Sequence, residues 1–206
     1  MSRRKIATTV GILFIAQMVT AMIGTSLIQA FADGNGGRAP LTVGVGLMVC
    51  SGLAVVGIGF LMYRVLKDVN QKIARWYPAL RITEFAVSTA CGLFLLIQLQ
   101  VVPNHLLWVY IPTGIGGLVL NYLLFVSRLV PRSIAVLGLV GYGLFSLGVP
   151  LDLLGVLNMN EGAGMLMLLP GLLYELIILP IWLIAKGFTS SSHPTIVTTP
   201  ALAAVN

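Results

Sequence analysis

Four ionisable side chains sit where chemistry is least expected, inside long apolar runs. Arg81 and Glu84 interrupt "YPALRITEFAVSTACGLFLL" (77–96), Asp152 follows Pro150 in "GVPLDLLG", and Glu175 lies in "LLYELIILPIWLIAKGF" (172–188). On insertion scales a charge at the centre of a membrane helix costs about 2.5–3.5 kcal/mol, so such residues face a bundle interior and mark function or a structural ion pair. Arg81 and Glu84 are spaced i, i+3 and share one helix face, where they can pair. An arginine keeps its charge in a protein, so Arg81 requires a counter-anion: Glu84 is the simplest, and an anionic head group such as a diphosphate is the alternative. Glu175 has no cation beside it in sequence. A carboxyl buried without a cation favours its protonated form, which suits a proton donor or carrier.

These residues need elements to hold them. Of 206 residues, 58% are hydrophobic and 9% charged, against about 25% charged in soluble domains. A spanning helix takes about 20 mostly apolar residues. Six segments meet that length: Ile6–Phe31, Leu41–Tyr63, Trp76–Val102, Leu106–Ser127, Ser133–Leu157 and Met165–Ala185. The predicted fold is therefore all-α, a polytopic membrane bundle of six transmembrane helices. Short connections make consecutive helices antiparallel neighbours. Residues 1–187 read as a single transmembrane domain. Residues 188–206, rich in Ser, Thr and Pro, read as a disordered tail. The N-terminal apolar stretch from Ile6 to Phe31 is longer than the ~7–15 residues of a signal-peptide core, so it reads as an uncleaved first helix.

Charge assigns an orientation. The N-terminus, the second and fourth connections and the C-terminal flank hold Arg3, Arg4, Lys5, Arg64, Lys67, Lys72, Arg75, Arg128, Arg132 and Lys186; the opposite side holds only Arg38. The positive-inside rule puts both termini in the cytoplasm. The net charge of +6 thus records topology, and no stacking platform or basic stripe points to nucleic acid. Cys50 and Cys91 lie in apolar runs with no Cys/His spacing, so no metal is expected; no sequence feature calls for another cofactor. Trp76, Tyr77, Trp108, Tyr110 and Tyr63 at helix ends read as an interfacial belt.

Helical rise places Glu84 roughly 12 Å from the cytoplasmic start of its helix and Glu175 roughly 15 Å from the outer start of its own. The two acids are expected at similar mid-depths. Asp152, nineteen residues beyond Ser133, is expected roughly 28 Å along its helix, close to the outer surface. Gln17, Gln29, Ser88, Gln98, Asn121 and Tyr174 are further polar candidates for the interior. Prolines 112, 150, 170 and 180 interrupt the last three helices, as they do beside membrane cavities or at packing kinks.

Three stretches, "YPALRITEFAVS" (77–88), "SRLVPRSIAVLGLVGY" (127–142) and "LLYELIILPIWLIAKGF" (172–188), together resemble the bacterial membrane family of domain of unknown function 4386 over about residues 5–188. The family's typical turn carries an aromatic after L-V-P-R, where this chain has Ser133. The resemblance implies a multi-pass protein of a bacterial cytoplasmic membrane and no particular activity. In size and buried acids the chain is also similar, by architecture alone, to small membrane terpene cyclases.

The expected function is acid/base chemistry on a hydrophobic or prenylated small molecule that enters from the lipid bilayer, in its sharpest form proton-initiated cyclisation of a prenyl chain. Glu84, Glu175 and Asp152 are the candidate acids. Arg81, Asn121, Tyr174, Tyr142 and Phe94 are the candidate substrate contacts, with the aromatic rings stabilising a cation. A proton-coupled permease, which at six helices implies a homo-oligomer, is the second reading. A membrane component whose charges only hold helices together is the third.

Overall fold

The computed structural model describes residues 1–189, and the expected tail lies almost wholly outside the described residues. Among those residues every regular element is helical. The elements are α1 (Arg3–Ala32), α2 (Arg38–Ala74), α3 (Trp76–Gln98), α4 (His105–Ser127), α5 (Arg132–Leu153), a 3-10 helix (Gly162–Met167), α6 (Leu169–Leu173), a π-helical turn (Tyr174–Ile178) and α7 (Leu179–Ala185). α1 to α5 are long and apolar enough to cross a membrane, and Leu169–Ala185 forms a shorter sixth apolar helix.

Local chemistry sets the ends. Ser2 caps α1, its Oγ accepting from Lys5 N at 3.3 Å. α2 runs through most of the expected second connection and breaks only at Asn70 (φ −154°, ψ 100°). There the Asn70 Oδ1 accepts from Ile73 N at 3.1 Å and restarts the last turn. α3 stops at Gln98 rather than Val102, because Leu99 turns left-handed (φ 55°) just ahead of Pro103, which cannot continue a helix. α5 stops at Leu153 rather than Leu157, where Gly155 takes φ +71°. The largest departure is the sixth helix. Instead of one span from Met165 it is a 3-10 turn followed by a bent helix, with prolines at Pro170 and Pro180.

Consecutive helices pack side by side, and α1 closes the ring against α7 and the π-turn. One end is tied tightly. Arg4 Nη2 donates to Ile184 O at 2.7 Å, Arg3 pairs with Asp68 at 3.4 Å, and Thr189 N donates to Leu129 O at 2.9 Å. That end holds the main core, including Phe14, Ile58, Met62, Leu66, Leu120, Leu124 and Leu183. Phe188 also packs against it. Ile12, Leu53, Phe60, Ile97, Leu147 and Ile181 point outward from the bundle, a distribution that suits lipid as the outer solvent. At the other end α6 rests on α5 and not on α1. The two backbones come so close that a Cβ on Gly141 would lie 2.9 Å from Gly171 N.

Candidate functional site

Arg81 is the largest fully buried side chain of the bundle, 2% exposed. On α3 it shares a face with Glu84, and its Nη1 lies 2.7 Å from Glu84 Oε2. Its Nη2 lies 3.3 Å from Glu175 Oε1, on a residue 94 positions away. One guanidinium therefore forks two carboxylates from opposite sides of the ring. Small residues make room for it: Gly59 of α2 faces Arg81 Cβ and Gly116 of α4 faces its Nε. The guanidinium carbon stands 5.1 Å from the centre of the Tyr77 ring, a cation–π distance. Tyr77 is fully buried here and is not the belt residue its place at a helix end suggests.

The π-turn is what brings Glu175 to Arg81. Pro180 has no N–H to give Leu176 O, and its ring would collide with that carbonyl. The helix widens before it, and Leu179 N–H bonds back to Tyr174 O, five residues earlier. π-turns of this kind occur often at functional sites.

Glu84 and Glu175 both line a cavity of about 950 Å³, with Gln17, Ser51, Phe85, Ser88, Tyr142 and Phe145 around them. It reaches a mouth formed by Asp33, Asn35, Asn160 and Glu161, at the end opposite the tied core. Small-molecule sites typically measure about 300–1,000 Å³. Arg81 does not line this space; it stands behind the carboxylates. Among the described residues, no three His, Cys, Asp or Glu side chains are grouped as a metal site needs.

The family model described as Domain of unknown function (DUF4386) matches residues 9–105 and 94–187. The chain belongs to this DUF4386 family. No curated protein and no solved structure has a significant match to it. The likeness to small membrane terpene cyclases is not shown by these comparisons.

Within this DUF4386 chain the other expected site residues divide. Tyr142 is at the site, 2% exposed, with a buried hydroxyl that makes no hydrogen bond. Asp152 is not: its Oδ2 accepts from Met159 N at 2.6 Å and closes the loop after α5, outside the cavity lining. Asn121 and Tyr174 are buried but satisfy each other, the tyrosine hydroxyl donating to Asn121 Oδ1 and Asn121 Nδ2 donating to Gly117 O at 2.8 Å. Neither touches the cavity. Phe94 is 43% exposed on the outside of α3, so it stabilises nothing within. Gln98 is likewise absent from the lining, while Gln29 is present and bonds Asp33.

Several lining residues escaped the sequence. Phe85 adjoins Glu84 and Ser51 donates to Gln17 O at 2.9 Å, yet neither stands out among apolar neighbours. Tyr110 reads as a belt residue but lines the cavity and donates to Asn160 Oδ1 at 3.0 Å. His105 opens α4 and also lines the cavity.

Proposed function

We propose that this protein is an integral membrane acid/base enzyme that holds a lipid-like molecule in the cavity and protonates it from the Glu84–Arg81–Glu175 triad. The observation that carries the reading is the meeting of two intramembrane carboxyls, from distant helices, in one mostly apolar space. One guanidinium balances one carboxylate. The triad is neutral when it holds one further proton, and that proton is the one to transfer.

In the sharpest form the substrate is a prenyl chain. The protonated carboxyl gives its proton to an alkene carbon, and a second alkene attacks the carbocation so formed to close a ring. A carboxylate then removes a proton from the neighbouring carbon, restoring a double bond and the starting proton count. The ring faces of Tyr142 and Phe145 support the positive intermediate. Arg81 positions the acids from behind, a role that replaces the expected grip on a diphosphate. Met22 of α1 and Leu172 of α6 both line the cavity where α1 and α6 do not pack on each other, which favours lateral entry from the bilayer. With the basic end in the cytoplasm, both termini are cytoplasmic, six segments cross a bacterial cytoplasmic membrane and the mouth opens outward.

A proton-coupled carrier is the second reading. A cavity open at one end, closed by a packed core at the other and flanked by a broken helix favours it. Glu84→Gln and Glu175→Gln, made singly, test both readings with membrane abundance as the control. Loss of prenyl product by about 100-fold or more at normal abundance supports the enzyme. Loss of proton-driven uptake in proteoliposomes supports the carrier. Collapse of abundance in both variants leaves the charges a purely structural role.

A further inference from the structure

The charge of the cavity is opposite to that of the chain. Four acids line it, Asp33 and Glu161 at the mouth and Glu84 and Glu175 at the floor, and no lysine or arginine does, although the chain carries twelve such residues and a net charge of +6. Arg81, the one buried cation among the described residues, stands behind the floor and cancels only one of its two carboxylates. A second feature points the same way. Tyr142 is buried with its hydroxyl turned toward Glu175 and without a partner at full hydrogen-bond geometry, and its ring begins an aromatic run. Tyr142 and Phe145 lie 6.2 Å apart and Phe145 and Tyr110 5.0 Å apart, and all three line the cavity. The rest of the lining is mostly apolar, with His105 and neutral polar groups such as Gln17, Ser51 and Ser88 among it; acid at the floor and ring faces along the wall are parts from which sites for organic ammonium ions are built.

We infer that the cavity takes a lipophilic cation, a protonated or quaternary amine or an equivalent positive centre on an apolar body, with its charge between Glu84, Glu175 and the Tyr142 ring. The inference rests on the reading that the cavity holds an apolar small molecule, and it names the charge of that molecule. The cation takes the place of the single proton that otherwise neutralises the triad. The titratable groups facing Glu175 in this exchange are Arg81, Glu84 and Tyr77 from α3, Tyr142 from α5 and Tyr174 from its own turn. Asp33 and Glu161 at the mouth draw cations inward. A carbocation formed in place meets the same surroundings as a cation bound from outside.

The test uses the full chain in lipid nanodiscs, with binding to empty discs subtracted. The probes are tetraphenylphosphonium, its near-isosteric anion tetraphenylborate and the neutral prenyl alcohol farnesol. Saturable phosphonium binding at least about tenfold tighter than borate binding is expected, with about a tenfold loss in Glu175→Gln. Borate binding as tight as phosphonium binding overturns the inference, as does phosphonium binding unchanged in both Glu84→Gln and Glu175→Gln. If those variants do not fold, the phosphonium-to-borate ratio of the unaltered chain decides alone. Saturable farnesol binding without phosphonium binding removes the positive charge but keeps the apolar cavity. Binding of neither removes both.

Discussion

Arg81 holds together what would otherwise repel. Two carboxylates converge on its buried guanidinium, and each uses one of its terminal nitrogens. Removing one member of a buried ion group leaves its partners uncompensated, at a cost of about 3–5 kcal/mol. Arg81→Gln is therefore expected to lower thermal stability in detergent by an amount of that order. Adding Glu84→Gln and Glu175→Gln to the same chain should recover most of it; a triple variant as unstable as the single one would mean that Arg81 acts through packing. Asn121 and Tyr174 are the contrasting case, a pair closed on itself. Tyr174→Phe leaves Asn121 Oδ1 without its donor, and about 1–3 kcal/mol of stability should go with it, read as a lower unfolding midpoint. The i, i+3 spacing of Arg81 and Glu84 is legible in the sequence. The third member is not, because a contact across 94 positions leaves no trace in local spacing.

The π-turn before Pro180 belongs to the scale of the element. A regular helix advances about 100° per residue, so returning one residue to the i→i−4 ladder turns everything before it relative to α7. Pro180→Ala restores the missing N–H and removes the ring. It is expected to swing Glu175 away from Arg81, with function falling about tenfold or more while thermal stability holds or rises. An unchanged function would show that the turn is held by packing and not by the proline. The apolar run from Met165 to Ala185 is legible as a helix, and its two prolines as interruptions. That the interruption takes the form of a wide turn aiming an acid inward depends on the neighbours α1 and α5, which no local pattern encodes. The early ends of α3 and α5 have the same origin: apolar residues such as Val101 and Leu157 continue the hydrophobic run while the backbone has already turned.

For the whole molecule, the ten basic residues gather at one end with the packed core, and the acid-lined mouth occupies the other. The proposed orientation is checked by single cysteines placed in a chain carrying Cys50→Ser and Cys91→Ser. An impermeant maleimide added outside intact cells should label Arg38→Cys and Asn160→Cys and leave Ser2→Cys and Lys186→Cys unlabelled until the cells are opened. The reverse pattern would invert the bundle and open the cavity to the cytoplasm.

Composition and spacing alone determined that this is an all-helical bundle of membrane type, where most of its spans lie and which charges stand inside it. Those properties follow from lengths of apolar chain and from the cost of charge in hydrocarbon, and both are local. Only the tertiary structure decided which of the buried polar groups act together. Glu175 joined Arg81 and Glu84, while Asp152, in the last turn of α5, bonded the loop that follows it, Asn121 and Tyr174 bonded each other and Phe94 took the outer face of α3. Ring closure decides these outcomes, because it sets how each helix turns about its axis, and that rotation answers to every neighbour at once.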